Sequence, residues 1–429
     1  MRLKISRLWM FFAIAVITLF LIPRIVPSQV RTGSDKNLKP TIILISIDGF
    51  HPGYLDRYPA PTLSMLAKTG VRARWMIPVF PSLTFPNHYT IATGLYPDKH
   101  GIVGNNIYDP DFKQTFSLSK REETQNGRWW LGEPIWVTAE KQGQKAAAYF
   151  FPGTEAEIGG KRPSQWKQYD NKIPNSERIE TLLSWLDLPG PERPTMILTY
   201  FAEVDSAGHE SGPVSEGVRQ AVAEVDKMLN QLVDGLKSRG LFDQVNIIIV
   251  SDHGMAVFDP RQVILLDDYF DLKQAEAVAW NGGTVNIFPR PGMEQLIYSA
   301  LKSKAPRPVK IYRKEDLPAR FHHSRSKRIG DIVAMVDEGW TLVSRERYRE
   351  PARSADGSVI YGGAHGFDNH LKSMRAIFVA HGPAFKQSLV VEPFESVDVY
   401  NVMAEILGLK PASNDGGYAT AKSLLRLQR

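Results

Sequence analysis

Three aspartates, three histidines and one threonine, spread over more than three hundred residues, offer the parts of a metal-dependent phosphoryl-transfer site: Asp48, Thr84, Asp205, His209, Asp252, His253 and His365. Carboxylate and imidazole donors without a thiolate suit zinc or a similar borderline divalent ion. A threonine hydroxyl is a weak nucleophile until a base or a cation holds it as the alkoxide. Taken singly, each residue has an ordinary explanation: an Asp before Gly is commonly a turn or a cap, and an isolated His a satisfied polar group. Placed together at the ends of apolar runs and in glycine-rich turns, the seven read as a two-metal phosphotransfer site.

The spacing along the chain supports that reading. Asp48 closes the apolar run Ile42–Ile47 and is followed by Gly49, and Asp252 and His253 repeat the arrangement after Ile247–Val250, between Ser251 and Gly254. Asp205 follows the run from Met196 to Phe201, with His209 four residues later beside Gly208 and near Gly212. His365 lies in the glycine-rich turn Tyr361–Gly366. In a parallel sheet, ligands gather at the carboxyl ends of the strands. Thr84 stands in the stretch Pro81–His88, where Pro86 at an early helical position predicts a helix start with Thr84 near its cap. Amides at such a start also bind phosphate oxygens. Asn105, between Gly104 and Asn106, has the pattern of a turn.

The elements that must position these residues are legible as short apolar runs without alternation: Ile42–Ile47, Ala146–Phe151, Met196–Phe201, Ile247–Val250 and Ala376–Ala380. Such runs are expected of parallel strands covered on both faces. Between them, Val218, Val222, Val225, Leu229, Leu232 and Leu236 recur at helical spacing, and Gly240 is the expected stop. Strands alternating with helices predict an α/β fold with a doubly wound, mostly parallel sheet. Residues 281–345 differ: strands near Thr284–Phe288, Lys310–Tyr312, Ile332–Val336 and Trp340–Val343 and a helix from Met293 to Lys302 predict a small α+β insertion.

The 429 residues suffice for one large domain with such an insertion. The N-terminus carries a basic opening from Arg2 to Arg7, an apolar run from Leu8 to Ile22 and a proline-bearing exit, Pro23 and Pro27. Residues 1–28 are therefore expected to be an export signal, cleaved in preference to remaining as an anchor, because the run falls short of a span of about 20 residues. Residues 29–39 read as a tether and residues 40–429 as the folded domain. Arg2, Lys4, Arg7 and Arg24 account for four of the six net positive charges, which removes the case for a nucleic-acid partner. With no cysteine, the chain forms no disulfide and no thiolate metal site. The expected location is the periplasm or cell envelope of a bacterium.

At Asp48, Thr84–His88 and the pair Asp252 and His253, the chain resembles the nucleotide pyrophosphatase/phosphodiesterase family of the alkaline phosphatase superfamily. Supporting segments are Ala92–Gly104, Gly132–Trp136, Pro152–Gly160, Ala202–Gly208 and Gly363–Asn369, in order along about Thr41 to Leu407. The resemblance implies an alkaline-phosphatase-like fold and two zinc ions, one held by Asp48, Thr84, Asp252 and His253, the other by Asp205, His209 and His365. It implies that Thr84 attacks phosphorus to form a covalent intermediate, which water then hydrolyses to release a monoester. It places Asn105 as a side-chain donor to a phosphoryl oxygen beside the Phe85 amide, and Phe85, Leu131 and Tyr200 as the walls of a nucleobase slot. A monomeric enzyme that acts on a small nucleotide or phosphodiester is expected, touching a membrane only through an uncleaved N-terminal anchor. Related readings on the same zinc core are a phospholipid-headgroup phosphodiesterase and a phosphate monoesterase. A binding protein with metal-stapled loops is the reading from another class, and it would need neither Thr84 nor Asn105.

Overall fold

Seven consecutive residues, Thr41–Ile47, all buried, form the first strand (β1) at the centre of the computed structural model. The structure describes residues 38–426 apart from residue 355. The expected export segment and almost all of the expected tether lie outside the described residues, among which no helix is long and apolar enough to cross a membrane.

Around β1 an eight-stranded sheet is built from β2 (Val71–Ala73), β3 (Ala146–Tyr149), β4 (Gln165–Lys167), β5 (Met196–Phe201), β6 (Val245–Val250), β7 (Phe378–His381) and β8 (Leu389–Val391), in the order β8-β2-β7-β6-β1-β5-β3-β4. The pairs of β1 with β5 and β6 are parallel, so Asp48, Ala202 and Ser251 leave the sheet at one edge. Strand β7 alone runs antiparallel to its neighbours. The fold is thus α/β, with a large, mostly parallel sheet and smaller β insertions, as expected of the fold that the resemblance implies.

Period-two geometry explains why the sequence runs show no alternation. Ile42, Leu44, Leu198, Ile248 and Val250 face one core, and Ile43, Ile45, Ile47, Ile197 and Ile249 face the other. The first core is closed by helices α2 (Thr84–Thr93) and α6 (Val399–Leu407). The second is closed by α1 (Pro61–Thr69), α3 (Asn175–Leu186) and α5 (Glu216–Ser238). Both faces demand apolar residues, and full burial of each Ile or Val stabilises by about 1.5–3 kcal/mol. On α5, Ser215 caps the first turn by accepting from the Val218 amide at 3.2 Å, and Gly240 supplies the left-handed turn beyond its end. Asp226 is a carboxylate on the buried side of α5, and it accepts from the first-turn amides of Thr62 and Leu63 at 3.1 and 2.8 Å.

The strand expected over Ala146–Phe151 stops at Tyr149 because Phe150 takes a positive φ of 69°. The strand expected over Ala376–Ala380 begins at Phe378. In the region of the expected insertion, a four-stranded antiparallel sheet orders Ala275–Asn281, Thr284–Pro289, Ile332–Val336 and Val309–Arg313, with the helix Glu294–Lys304. Its first strand starts ahead of residue 281, and Thr341–Val343 pairs with Val263–Leu265 rather than joining it.

Candidate active site

The carboxyl ends of β1 and β6 bring Asp48, Asp252 and His253 together, with all three buried. Asp252 Oδ1 accepts from the Gly49 amide at 3.1 Å, which locks the two turns to each other. Gly49 has φ +67°, and a Cβ there would strike the Asp205 backbone at 2.9 Å, so this approach requires glycine. Asp205 enters from α4 (Glu203–Ser211), the helix that follows β5, and His209 sits one turn along on the same side. His365 comes from the turn after the short strand Gly362–Ala364.

Each histidine is oriented by a carbonyl. Nδ1 of His209 donates to Gly363 O at 2.8 Å, Nδ1 of His253 to Gly254 O at 2.8 Å and Nδ1 of His365 to Ser82 O at 2.9 Å. A carbonyl only accepts, so Nδ1 carries a proton, and Nε2, with its lone pair when the ring is neutral, faces the site. These lone pairs meet carboxylate oxygens. His209 Nε2 lies 3.5 Å from Asp205 Oδ2, His365 Nε2 3.6 Å from Asp205 Oδ1 and His253 Nε2 3.6 Å from Asp48 Oδ1. Asp252 Oδ2 is 3.0 Å from His253 Nε2, and for this ring burial is outweighed by the Asp252 carboxylate, which raises His253 above an ordinary histidine.

Asp48 Oδ1, Asp205 Oδ1, Asp252 Oδ2 and His253 Nε2 are all buried without a hydrogen-bond partner. Acceptors packed in this way are costly unless a cation joins them. Tetrahedral zinc with bonds of about 2.0–2.1 Å separates its ligand atoms by about 3.3 Å, close to the spacings found. Two groups able to hold an ion emerge, Asp205 with His209 and His365, and Asp48 with Asp205 and His253. Asp205 therefore borders both, and the division of ligands expected from the sequence is less sharp in the fold.

The electrostatics point the same way. Burial, then the charges of Asp252 and Asp205, push the Asp48 carboxyl well above the usual carboxylate range, while the Tyr200 hydroxyl pulls it back. Burial also raises Asp205, against His209 and His253. For Asp252 burial is outweighed by His253 and His88, which hold its carboxyl below the ordinary value. Burial, aided by His253 and His209, drives His365 well below an ordinary histidine. Three crowded carboxylates and a neutral imidazole form a site that favours added positive charge.

Thr84 is the first residue of α2, one position after the N-cap Leu83 in extended conformation, so the helix starts where the sequence predicts, with Thr84 beside its cap. The turn it opens is tied to the ligand cluster by its backbone. Ser82 O holds His365, and Thr84 O accepts from His88 Nδ1 at 2.8 Å. His88 in turn lies 3.5 Å from Asp252 Oδ2 and accepts from Ser46 Oγ at 2.7 Å. Asn105 reaches this turn too: its Oδ1 accepts from the Phe85 amide at 3.0 Å. That amide was expected to face a phosphoryl oxygen beside Asn105; here it is engaged by Asn105 itself.

The three residues expected to form the nucleobase slot are differently placed. Phe85 leans on Phe116 and Trp130, with ring centroids 5.8 Å from each. Leu131 is 47% exposed and packs over Gly101. Tyr200 donates its hydroxyl to Asp48 Oδ2 at 2.6 Å and meets His88 edge-to-face, so it braces a carboxylate of the cluster directly. Tyr169, exposed on the loop after β4, stands 6.5 Å from the Tyr200 ring. Nothing in its polar sequence surroundings singles it out.

A family model described as Type I phosphodiesterase / nucleotide pyrophosphatase matches residues 42–368. The rat protein Ectonucleotide pyrophosphatase/phosphodiesterase family member 3 is 41% identical over 396 residues, 90% of this chain and 44% of the rat protein. Venom phosphodiesterase CdcPDE from Crotalus durissus collilineatus is 40% identical over 395 residues, 90% of this chain and 46% of its own length. The chain thus spans a little under half the length of these curated relatives. The solved structure of murine ectonucleotide pyrophosphatase / phosphodiesterase 5 superposes with a TM-score of 0.83 and 31% identity, over 90% of this chain and all of the murine one. The same values hold for an inactive threonine-to-alanine form of that protein in complex with AMP.

These relatives correct one expectation. They are animal ectonucleotide and venom phosphodiesterases, from rat, mouse, Bos taurus, Crotalus and Naja, and not bacterial periplasmic proteins. The bacterial periplasm or envelope is therefore withdrawn. Absence of cysteine shows that this domain folds without disulfides, and that property marks no compartment.

Proposed function

The chain belongs to the type I phosphodiesterase/nucleotide pyrophosphatase family of the alkaline phosphatase superfamily, and on that premise we propose that it hydrolyses nucleotide pyrophosphate and phosphodiester bonds with a threonine nucleophile and two zinc ions, releasing nucleoside 5′-monophosphates. The observation that carries the reading is the convergence of Asp48 Oδ1, Asp205 Oδ1, Asp252 Oδ2 and His253 Nε2, buried and unpartnered, beside the turn that presents Thr84.

Asp48, Asp252 and His253 would hold one ion next to Thr84, and Asp205, His209 and His365 the other. Bound zinc supplies positive charge that favours the deprotonated hydroxyl and neutralises phosphoryl oxygens. The Thr84 oxygen forms a bond to phosphorus as the bond to the leaving alcohol or pyrophosphate breaks. Water then cleaves the Thr84–phosphorus ester and frees the monophosphate. Because Asn105 Oδ1 is committed to the Phe85 amide, Asn105 Nδ2 is the donor left for a phosphoryl oxygen, a role worth about 3–4 kcal/mol in comparable oxyanion sites. A neutral amide there, in place of an arginine, leaves room for a second ester group. The murine relative, whose inactive threonine-to-alanine form is solved in complex with AMP, supports both the nucleophile and the nucleoside monophosphate product.

The exposed, apolar Leu131 favours a second reading on the same core, a phospholipid-headgroup diester. A panel separates the possibilities: bis-p-nitrophenyl phosphate against p-nitrophenyl phosphate, then ATP against glycerophosphocholine, with products identified. Faster cleavage of the diester and release of AMP are expected. Faster cleavage of the monoester defeats the diesterase reading, and preference for glycerophosphocholine replaces nucleotide with headgroup.

A further inference from the structure

Arg328 closes the polar stretch from His322, yet it is only 3% exposed. Its Nε donates to Asp109 Oδ2 at 2.7 Å, and Asp109 is fully buried. The same guanidinium donates to Gly101 O at 3.0 Å, to Trp129 O at 2.6 Å and to Arg128 O at 3.2 Å. It lies over the Trp129 ring, 4.9 Å from the centroid. The loop that delivers it is fixed as well, because the Asp98 carboxylate accepts from the amides of Ser324, Arg325 and Ser326.

The segments joined by this one side chain lead to the substrate side of the site. Gly101 belongs to the stretch that ends at Asn105, and the Leu131 amide donates to His100 O at 3.0 Å. Trp130, next to Trp129, packs against Phe85. A Cβ at Gly101 would strike both Arg328 and Leu131, at 2.6 and 3.0 Å, so these groups are in close register. Asp109 meanwhile accepts from the amides of Asp111 and Phe112, which fixes the turn beneath the wall.

We propose that Arg328, carried by the loop of the α+β region, is a positioning residue that clamps the Gly101 and Trp129 segments and thereby sets affinity for the nucleoside part of the substrate without touching it. The proposal rests on Phe85 and Leu131 forming the nucleoside wall. A planar fork reaches four acceptors on three segments at once, and a lysine ammonium reaches fewer, so Arg328→Lys keeps the charge opposite buried Asp109 while loosening the clamp.

The test uses the zinc-loaded protein and two diesters, p-nitrophenyl thymidine 5′-phosphate and methyl p-nitrophenyl phosphate, which has no nucleoside. For Arg328→Lys the KM of the nucleotide ester is expected to rise about tenfold, with kcat on both substrates within about twofold of the parent. Hydrogen exchange is expected to quicken in residues 100–109 and 128–131. Equal loss on both esters, an unchanged KM for the nucleotide ester, or unchanged exchange overturns the proposal. Should Arg328→Lys not fold, Asp109→Asn must show the same split. A wild-type protein inert toward both esters refutes the proposed function instead, and the exchange measurement still decides whether Arg328 holds the wall.

Discussion

His209 Nε2 and His365 Nε2 stand 3.0 Å apart, and each ring has its Nδ1 proton on a backbone carbonyl. When both rings are neutral, the two Nε2 lone pairs point at each other with no proton between them. Asp205 lies within 3.6 Å of both nitrogens and adds further negative charge. Between neutral rings that contact is repulsive, and it becomes favourable once a cation lies among the three groups.

Chelation should therefore destabilise the fold. With zinc at a thousandfold over its dissociation constant, each site adds about 4 kcal/mol. The melting temperature of the chelated protein is expected to fall and to recover with zinc but not with magnesium. Recovery with magnesium, or no change on chelation, contradicts a zinc site built from imidazole and carboxylate.

The Tyr200 hydroxyl on Asp48 gives a separate prediction. It lowers the carboxyl that burial, Asp252 and Asp205 raise, so Tyr200→Phe should leave Asp48 holding its proton more tightly in competition with metal. Zinc affinity is expected to drop about 10- to 100-fold, and more steeply as pH falls. Competition with a chromophoric chelator measures it. Unchanged affinity would return Tyr200 to a role in substrate contact alone.

Much of this was legible beforehand, and the reason is geometric. Ile42–Ile47 and Met196–Phe201 read as buried strands because both sheet faces are covered, and Asp48 and Asp205 read as ligands because they follow those strands. The strand Ala275–Asn281 escaped because its residues mix exposed Glu276 with partly buried Ala277 and Val278. Tyr200 reads from the resemblance as a wall of a nucleobase slot, whereas its hydroxyl bond to Asp48 depends on where Asp48 lies across the sheet. Arg328 gave no local signal at all, since its partners Gly101, Asp109 and Trp129 are some two hundred residues earlier in the chain.

Two buried histidines away from the ligand cluster set an acid limit. Burial lowers His100 to about 3 and His323 to about 3. Neither ring nitrogen of His323 has a partner. Both stay neutral in the fold and gain a proton only on unfolding once pH drops below about 6.5. The unfolded chain then binds more protons, so stability is lost as pH falls from about 6.5 toward 3, by about 1.4 kcal/mol per pH unit for each ring. Urea unfolding of His323→Phe should show a shallower loss between pH 7 and 5 than the parent. An identical slope in the two proteins contradicts the assignment.

The nucleophile is tested most directly by the turnover of Thr84→Ala on p-nitrophenyl thymidine 5′-phosphate, measured on protein confirmed to retain two zinc ions per chain. Loss of the hydroxyl leaves the ligand turns and their carbonyl contacts in place, because Ser82 O and Thr84 O belong to the backbone. The account predicts a fall of more than about a thousandfold in kcat with zinc content and melting temperature unchanged. Turnover near the parent rate would contradict a covalent threonine mechanism.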